Sequence, residues 1–277
     1  MFEQIDRHEE KIRAAELLRT ASVPAKAMTA LYLALTLLLN LIDSFSGSGL
    51  VGTFVTIFTG LLTSVLGAGF VLYCMAVRRG ERAEYLTLFD GFSFVGKIIC
   101  LEIVEFFFIF LWSILFVIPG LIAAYRYRFA TYNLYENPGI GVMEALEMSK
   151  RQTYGYKSQL FVLDLSYLGW FLLAAVPTIV ASLLACRQYF MLLETFSAGG
   201  FPSFYTSPVN YLGIPFWAWT AVESLWALVV SLFYLPNRIC VDLAYFETAR
   251  RTSAMPGGGR SPWDKRQDEG PDGLGGL

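Results

Sequence analysis

Glu102 and Glu105 on one apolar stretch, and Arg126 and Arg128 on the next, are ionisable groups placed where the surrounding residues are suited to hydrocarbon. A charge in a bilayer is costly unless it is paired or faces water. Two chemistries fit such a seam: ion pairs that fix helix register, or a path for protons or a small solute. Glu102 and Glu105 are three residues apart and share a helix face. Counted from Lys97, Glu105 lies roughly 12 Å along a helix, and Arg128, counted back from Tyr135, reaches a similar depth on an antiparallel neighbour. This spacing predicts a Glu105–Arg128 pair. Arg126 and Arg128 point about 200° apart around a helix, so Arg126 turns away and can snorkel outward. Tyr125, Tyr132 and Tyr135 follow helical spacing beside Arg128 and give it a polar aromatic face. Asp164 and Glu223, on later segments, are candidates to line the same cavity.

Other reactive patterns carry less. Gly91 to Lys97, GFSFVGK, has the glycine and lysine spacing of a phosphate-binding loop, but Ile98 follows where a Ser or Thr would hold magnesium, and no strand precedes it. His8 is the only histidine and lies among charged residues. Cys74, Cys100, Cys186 and Cys240 are scattered singly, as packing residues rather than as a disulfide framework or metal knuckle. No nucleophile with its base, no metal-ligand spacing and no cofactor motif is recognisable. The chain reads as a non-enzyme with no cofactor.

The elements that must position the seam follow from composition. Of 277 residues, 55% are hydrophobic and 16% charged, and the mean hydropathy is +0.51. That is too apolar for one soluble core with a wettable surface. Leu50 to Val77 holds no Asp, Glu, Lys, Arg or His and exceeds the roughly 20 residues that a spanning helix needs. A net charge of -2 with no clustered basic face argues against a nucleic-acid partner.

The pattern predicts an all-α, polytopic membrane bundle of six transmembrane helices: 27–42, 50–77, 98–118, 121–135, 160–185 and 215–235. The fourth is short and contains two arginines. Residues 1–26 form a cytoplasmic segment in which Phe2 to Thr20 reads as an amphipathic surface helix or a solvated one. Residues 27–249 form the membrane domain, and 250–277 a disordered cytoplasmic tail of Gly, Pro and charge. With both termini inside, 18 of the 21 Lys and Arg residues fall in cytoplasmic segments, only Arg187 falls outside, and the fourth span is required for that agreement.

In the second span Gly52, Thr56, Gly60, Ser64 and Ala68 repeat every four residues, a small-residue stripe suited to close helix approach within the chain or in a dimer. Pro119-Gly120 is expected to form a tight turn, with Gly in the left-handed region. Glu136-Asn137-Pro138-Gly139 is expected to end the fourth helix. Val142 to Arg151 reads as a short amphipathic helix at the inner interface, with Val142, Ala145, Leu146 and Ser149 on one side. The aromatic stretch between Arg187 and Gly213 is either a headgroup-level belt or a docking surface.

FDGF at Phe89 to Phe92, IPGLIAAYRY, YENP, EALEMSK with Ser149, GYK ending at Lys157, and FVLDLSYLGW ending at Gly169-Trp170 occur in linked order, followed by LPNRICVDLAYFE from Leu235 to Glu247. Together they resemble a bacterial multi-pass membrane family catalogued as domain of unknown function 975. The resemblance covers roughly the middle third of the chain plus the end piece. It departs at Thr153-Tyr154, where Met-Lys commonly precedes the glycine. It implies a multi-pass protein of the bacterial plasma membrane, mostly in Gram-positive lineages, with no established activity. A looser similarity, in the Ile-Pro-Gly turn and the Ala-Leu-x-x-Ser pattern, is to the membrane domain of some glycerophosphodiester phosphodiesterases, and implies lipid association alone. The partners expected are membrane lipids, with a membrane-protein partner or a second copy of the chain. Two functions stay open: a non-catalytic accessory or lipid-interacting module, and a small-solute or proton-coupled transporter using the charged seam. The chain shows no inverted repeat of the kind many transporters carry.

Overall fold

The computed structural model describes residues 3–46, 49–183, 186 and 216–253. All regular structure among them is helical. Four helices are long and apolar enough to cross a membrane: Ala25–Phe45, Leu50–Arg79, Tyr85–Leu115 and Ala221–Ser253. Their surfaces are inverted relative to a soluble protein, since Phe54, Phe58, Ile103, Phe106, Ile114 and Leu115 are all exposed. Lipid tails, being as apolar as these side chains, are the medium that makes such exposure tolerable.

The chain forms two compact units, one drawn from the sequence up to Leu165 and from Pro236 onward, the other from Ser166–Leu235. In the first, α1 (Arg7–Thr20) begins at Asp6, whose carboxylate accepts from the His8 N–H at 2.8 Å. It is not an isolated surface helix. Ala14 and Leu18 are buried, and Asn237 donates to the Lys11 carbonyl at 2.9 Å. Next come α2 (Ala25–Phe45), α3 (Leu50–Arg79), a 3-10 helix (Tyr85–Phe94) and α4 (Val95–Leu115).

Three expectations about the boundaries are corrected. The α4 helix stops at Leu115, where Phe116 is extended, and α5 (Val117–Tyr127) starts at once, so Pro119 and Gly120 lie inside its first turn. Proline is tolerated there because its N–H would be unpaired anyway. Gly120 is not left-handed. It is needed for close approach, since a Cβ there would sit 2.1 Å from Ser113 Oγ.

The expected helix 121–135 is divided into α5 and α6 (Ala130–Glu136). The cause is Ser149 on α7 (Val142–Gln152), whose hydroxyl accepts from the Phe129 N–H at 3.1 Å and donates to the Arg126 carbonyl at 2.9 Å. It takes two backbone groups that the helical ladder would otherwise use. Thr153 adds a second bond to the Arg126 carbonyl at 3.2 Å. As expected, α6 ends at Glu136, and the Asn137 side chain accepts from the Gly139 N–H at 3.1 Å. The buried face of α7 carries Ala145, Leu146 and Ser149, as its pattern requires, and packs with Leu101, Ala130 and Leu134.

The third correction concerns the closing helix, which does not end at Leu235 but runs through Pro236 from Phe216–Ser253. Burial of Cys240, Val241, Leu243, Ala244, Tyr245 and Phe246 in the first unit offsets the one backbone donor that Pro236 lacks. Residues 250–253 are therefore helical, and the rest of the expected tail, like the aromatic stretch 187–213, lies outside the described residues.

The expected fifth span is built from α8 (Lys157–Ser166), α9 (Leu168–Ala174) and helical residues 176–183. Within the second unit, Trp170 stacks on Tyr234 at 5.9 Å and Trp226 donates to the Leu173 carbonyl at 2.8 Å.

Candidate functional site

The break between α5 and α6 places Arg128 outside a regular helical turn, and its guanidinium reaches two carboxylates. Arg128 Nη1 lies 2.6 Å from Asp164 Oδ2, and Nη2 donates to Asp164 Oδ1 at 3.1 Å. On the other side, Nε donates to Asp242 Oδ2 at 3.1 Å and Nη2 lies 2.9 Å from Asp242 Oδ1. Arg238, one turn before Asp242 on the closing helix, donates to Asp164 Oδ1 at 3.2 Å. Two phenols complete the shell, Tyr125 donating to Asp164 at 2.9 Å and Tyr132 to Asp242 at 2.6 Å.

The cluster is electrically balanced, with two guanidinium groups against two carboxylates, and it joins α5, α8 and the closing helix. Balance matters because the Asp242 side chain is only 7% exposed and that of Arg128 16%. An unpaired charge at such depth would be strongly destabilising, whereas a paired and hydrogen-bonded one is tolerated. The planar fork of arginine lets one residue hold two carboxylates at once, which a lysine could not do with the same geometry.

The expected Glu105–Arg128 pair does not form. Arg128 faces α8 and the closing helix, and Glu105 Oε1 is buried with no hydrogen-bond partner among the described residues. The depth estimate assumed one continuous helix from Leu121 to Tyr135, and the Ser149 insertion removes that assumption. Glu102 lies within reach of Ser64 on α3, and Tyr135 packs against Phe94 rather than joining the tyrosines of the cluster.

Arg126 lies over the Tyr127 ring at 5.9 Å, and its charge faces Lys157. Burial, followed by that Arg126 charge, holds the Lys157 ammonium below the usual lysine range. Glu223 belongs to the second unit, where it accepts from the Trp219 indole at 3.0 Å.

The small-residue stripe is covered in part: Gly52 and Ala68 are buried and Ser64 half-buried, whereas Thr56 and Gly60 are exposed, and Thr56 donates to Asp43 at 2.7 Å. The tight contact of α3 runs through Ala68 and Gly69 against the 3-10 helix. Sequence reasoning missed Asp242 and Arg238 as members of the cluster. The signal was present, since both lie in the LPNRICVDLAYFE motif, one turn apart.

A second buried polar contact fixes α6 on α7. Asn133 and Gln152 exchange both side-chain amide bonds, at 2.9 and 2.8 Å, and each is nearly inaccessible.

A family model described as a protein of unknown function (DUF975) matches residues 109–252. That range takes in the helix break, α7, α8 and the acidic and basic residues of the cluster, while the FDGF motif precedes it. No curated protein and no solved structure matches the chain. The looser similarity to the glycerophosphodiester phosphodiesterase membrane domain has no support.

Proposed function

The chain belongs to the family described as Protein of unknown function (DUF975), and from that premise we propose that it is a six-pass protein of the bacterial plasma membrane, with both termini cytoplasmic. Its role is that of a non-catalytic accessory module that engages membrane lipids, with its charged seam serving as a lock between helices. The observation that carries this reading is the closed Arg128 cluster, in which each carboxylate and each phenol already has a partner inside the chain. A solute path needs groups free to exchange partners. Six spans require that the broken segments 121–135 and 160–185 cross together with the four long helices, and the placement of Lys and Arg supports that count.

Native mass spectrometry of protein extracted from its own membrane with minimal delipidation tests the role. Retention of a lipid or protein at fixed stoichiometry supports it, and a bare monomer opposes it.

One observation favours a second reading, a proton-coupled transporter. Among the described residues Glu105 Oε1 is buried without a hydrogen-bond partner, beside Glu102 on the same face. Under that reading Glu105→Gln folds normally and abolishes a pH-dependent flux in proteoliposomes. An unchanged flux, or none in the parent protein, removes it.

A further inference from the structure

We propose that a cavity of about 390 Å³ in the first unit, between the middle of α1 and the ends of α3, α6 and the closing helix, binds a phosphate-bearing anion. Five arginines line it, Arg13, Arg78, Arg79, Arg250 and Arg251, against three carboxylates, Glu10, Glu136 and Glu247. The lining thus carries an excess of two positive charges.

The carboxylates organise the arginines without exhausting them. Arg78, only 7% exposed, is fixed by Glu247 through two bonds, 3.1 Å from Nε and 2.7 Å from Nη2, and by the Cys240 carbonyl at 3.0 Å. Glu136 accepts from Arg79 at 2.6 Å and also from Arg250, which lies over the Phe246 ring. Glu10 is distant from both its arginines, 3.7 Å from Arg13 and 4.0 Å from Arg78. Arg251 donates to Thr248 Oγ1 at 3.2 Å and has no carboxylate within 4.0 Å among the described residues.

The geometry therefore offers a floor of preset guanidinium groups and two arginines, Arg13 and Arg251, with donors to spare. Guanidinium forks match phosphate oxygens in pairs, and a charged lining of this kind suits a compact anion rather than an apolar ligand. The volume lies within the roughly 300–1,000 Å³ usual for small-ligand sites. The phosphate can come from an anionic lipid headgroup or from a soluble compound. Only the first of these sources rests on the lipid-engaging reading above.

The test uses the full chain in neutral detergent. One arm titrates inorganic pyrophosphate calorimetrically, and the other compares retention of phosphatidylglycerol and phosphatidylcholine by native mass spectrometry. Binding is expected in at least one arm, weakening as salt is raised and falling about tenfold in Arg13→Gln/Arg251→Gln. Neither arginine forms an interhelical ion pair shorter than 3.5 Å, and Arg251→Gln alone serves if the double variant unfolds. Pyrophosphate binding alone assigns a soluble ligand, and phosphatidylglycerol preference alone assigns a headgroup. Failure of both arms, or unchanged binding in the variants, overturns the site. Pyrophosphate binding with neither lipid nor protein retained keeps the site and removes the accessory reading, whereas retained lipid without phosphate dependence does the reverse.

Discussion

Arg128 and Asp242 lie 114 positions apart in the chain and meet through two contacts, Nε to Oδ2 at 3.1 Å and Nη2 to Oδ1 at 2.9 Å. This pair ties the α5–α6 break to the closing helix, and Tyr132 and Asp164 complete the shell around it. Removing the phenol alone should be mild. Tyr132→Phe is expected to lower stability by about 1.5–3 kcal/mol, the worth of one hydrogen bond to a charged group, because Asp242 keeps both contacts to Arg128. Thermal unfolding in detergent reads this directly, and a loss several times larger would mean that the phenol, not the arginine, holds Asp242.

Ser149 is the residue that opens the helix so that Arg128 can reach two carboxylates. Ser149→Ala leaves the Phe129 N–H to find a new partner in a buried place, while the Arg126 carbonyl keeps the Thr153 hydroxyl. A loss of about 1–3 kcal/mol is expected. If α5 and α6 fuse in the variant, the Phe129 and Ala130 amides become protected from hydrogen exchange and Ser149 is the cause of the break; a break that persists with no loss of stability contradicts that role.

Asn133 and Gln152 are mutually dependent. Asn133→Leu strands the Gln152 amide in a site from which water is excluded, at a cost of about 1–3 kcal/mol, and Gln152→Leu does the converse. Replacing both at once should cost less than the sum of the singles, since no polar group is left alone. Additive losses would show that the two amides do not support each other.

Glycine positions on α3 should differ sharply. A Cβ at Gly69 would stand 1.8 Å from the Leu88 carbonyl oxygen, so Gly69→Ala must push α3 away from the 3-10 helix and lower the unfolding temperature by several degrees, on the order of 1–3 kcal/mol. At Gly60 a Cβ meets nothing within 4 Å, and Gly60→Ala should leave the monomer unchanged or slightly more stable. Equal effects at the two sites would contradict the packing.

Much of this was legible in the sequence because hydrophobic length and the distribution of Lys and Arg are one-dimensional properties. The long apolar helices and the end of α6 at Glu136 could be read directly, as could the buried face of α7. The Arg128 partnership could not be. Depth counting requires an unbroken helix, and the break is imposed by a hydroxyl from a different helix, which no local propensity records. The closing helix runs past the expected bound at Leu235 for a related reason: proline ends an isolated helix, but the apolar residues that follow Pro236 are buried deeply enough to carry the helix onward. The value of Gly120 was also missed, since its need is set by Ser113 across a turn and not by its own backbone angle.

The most direct test of the structural lock is a double-mutant cycle on Arg128→Gln and Asp242→Asn, read as thermal unfolding of the detergent-solubilised protein. Each single change leaves a buried charge without its main partner and is expected to cost about 3–5 kcal/mol. The double variant is neutral again, with Asp164 still held by Arg238, and should recover a substantial part of that loss. Strictly additive losses, or single variants that fold normally but stop a pH-dependent flux, would contradict the lock and turn attention to transport.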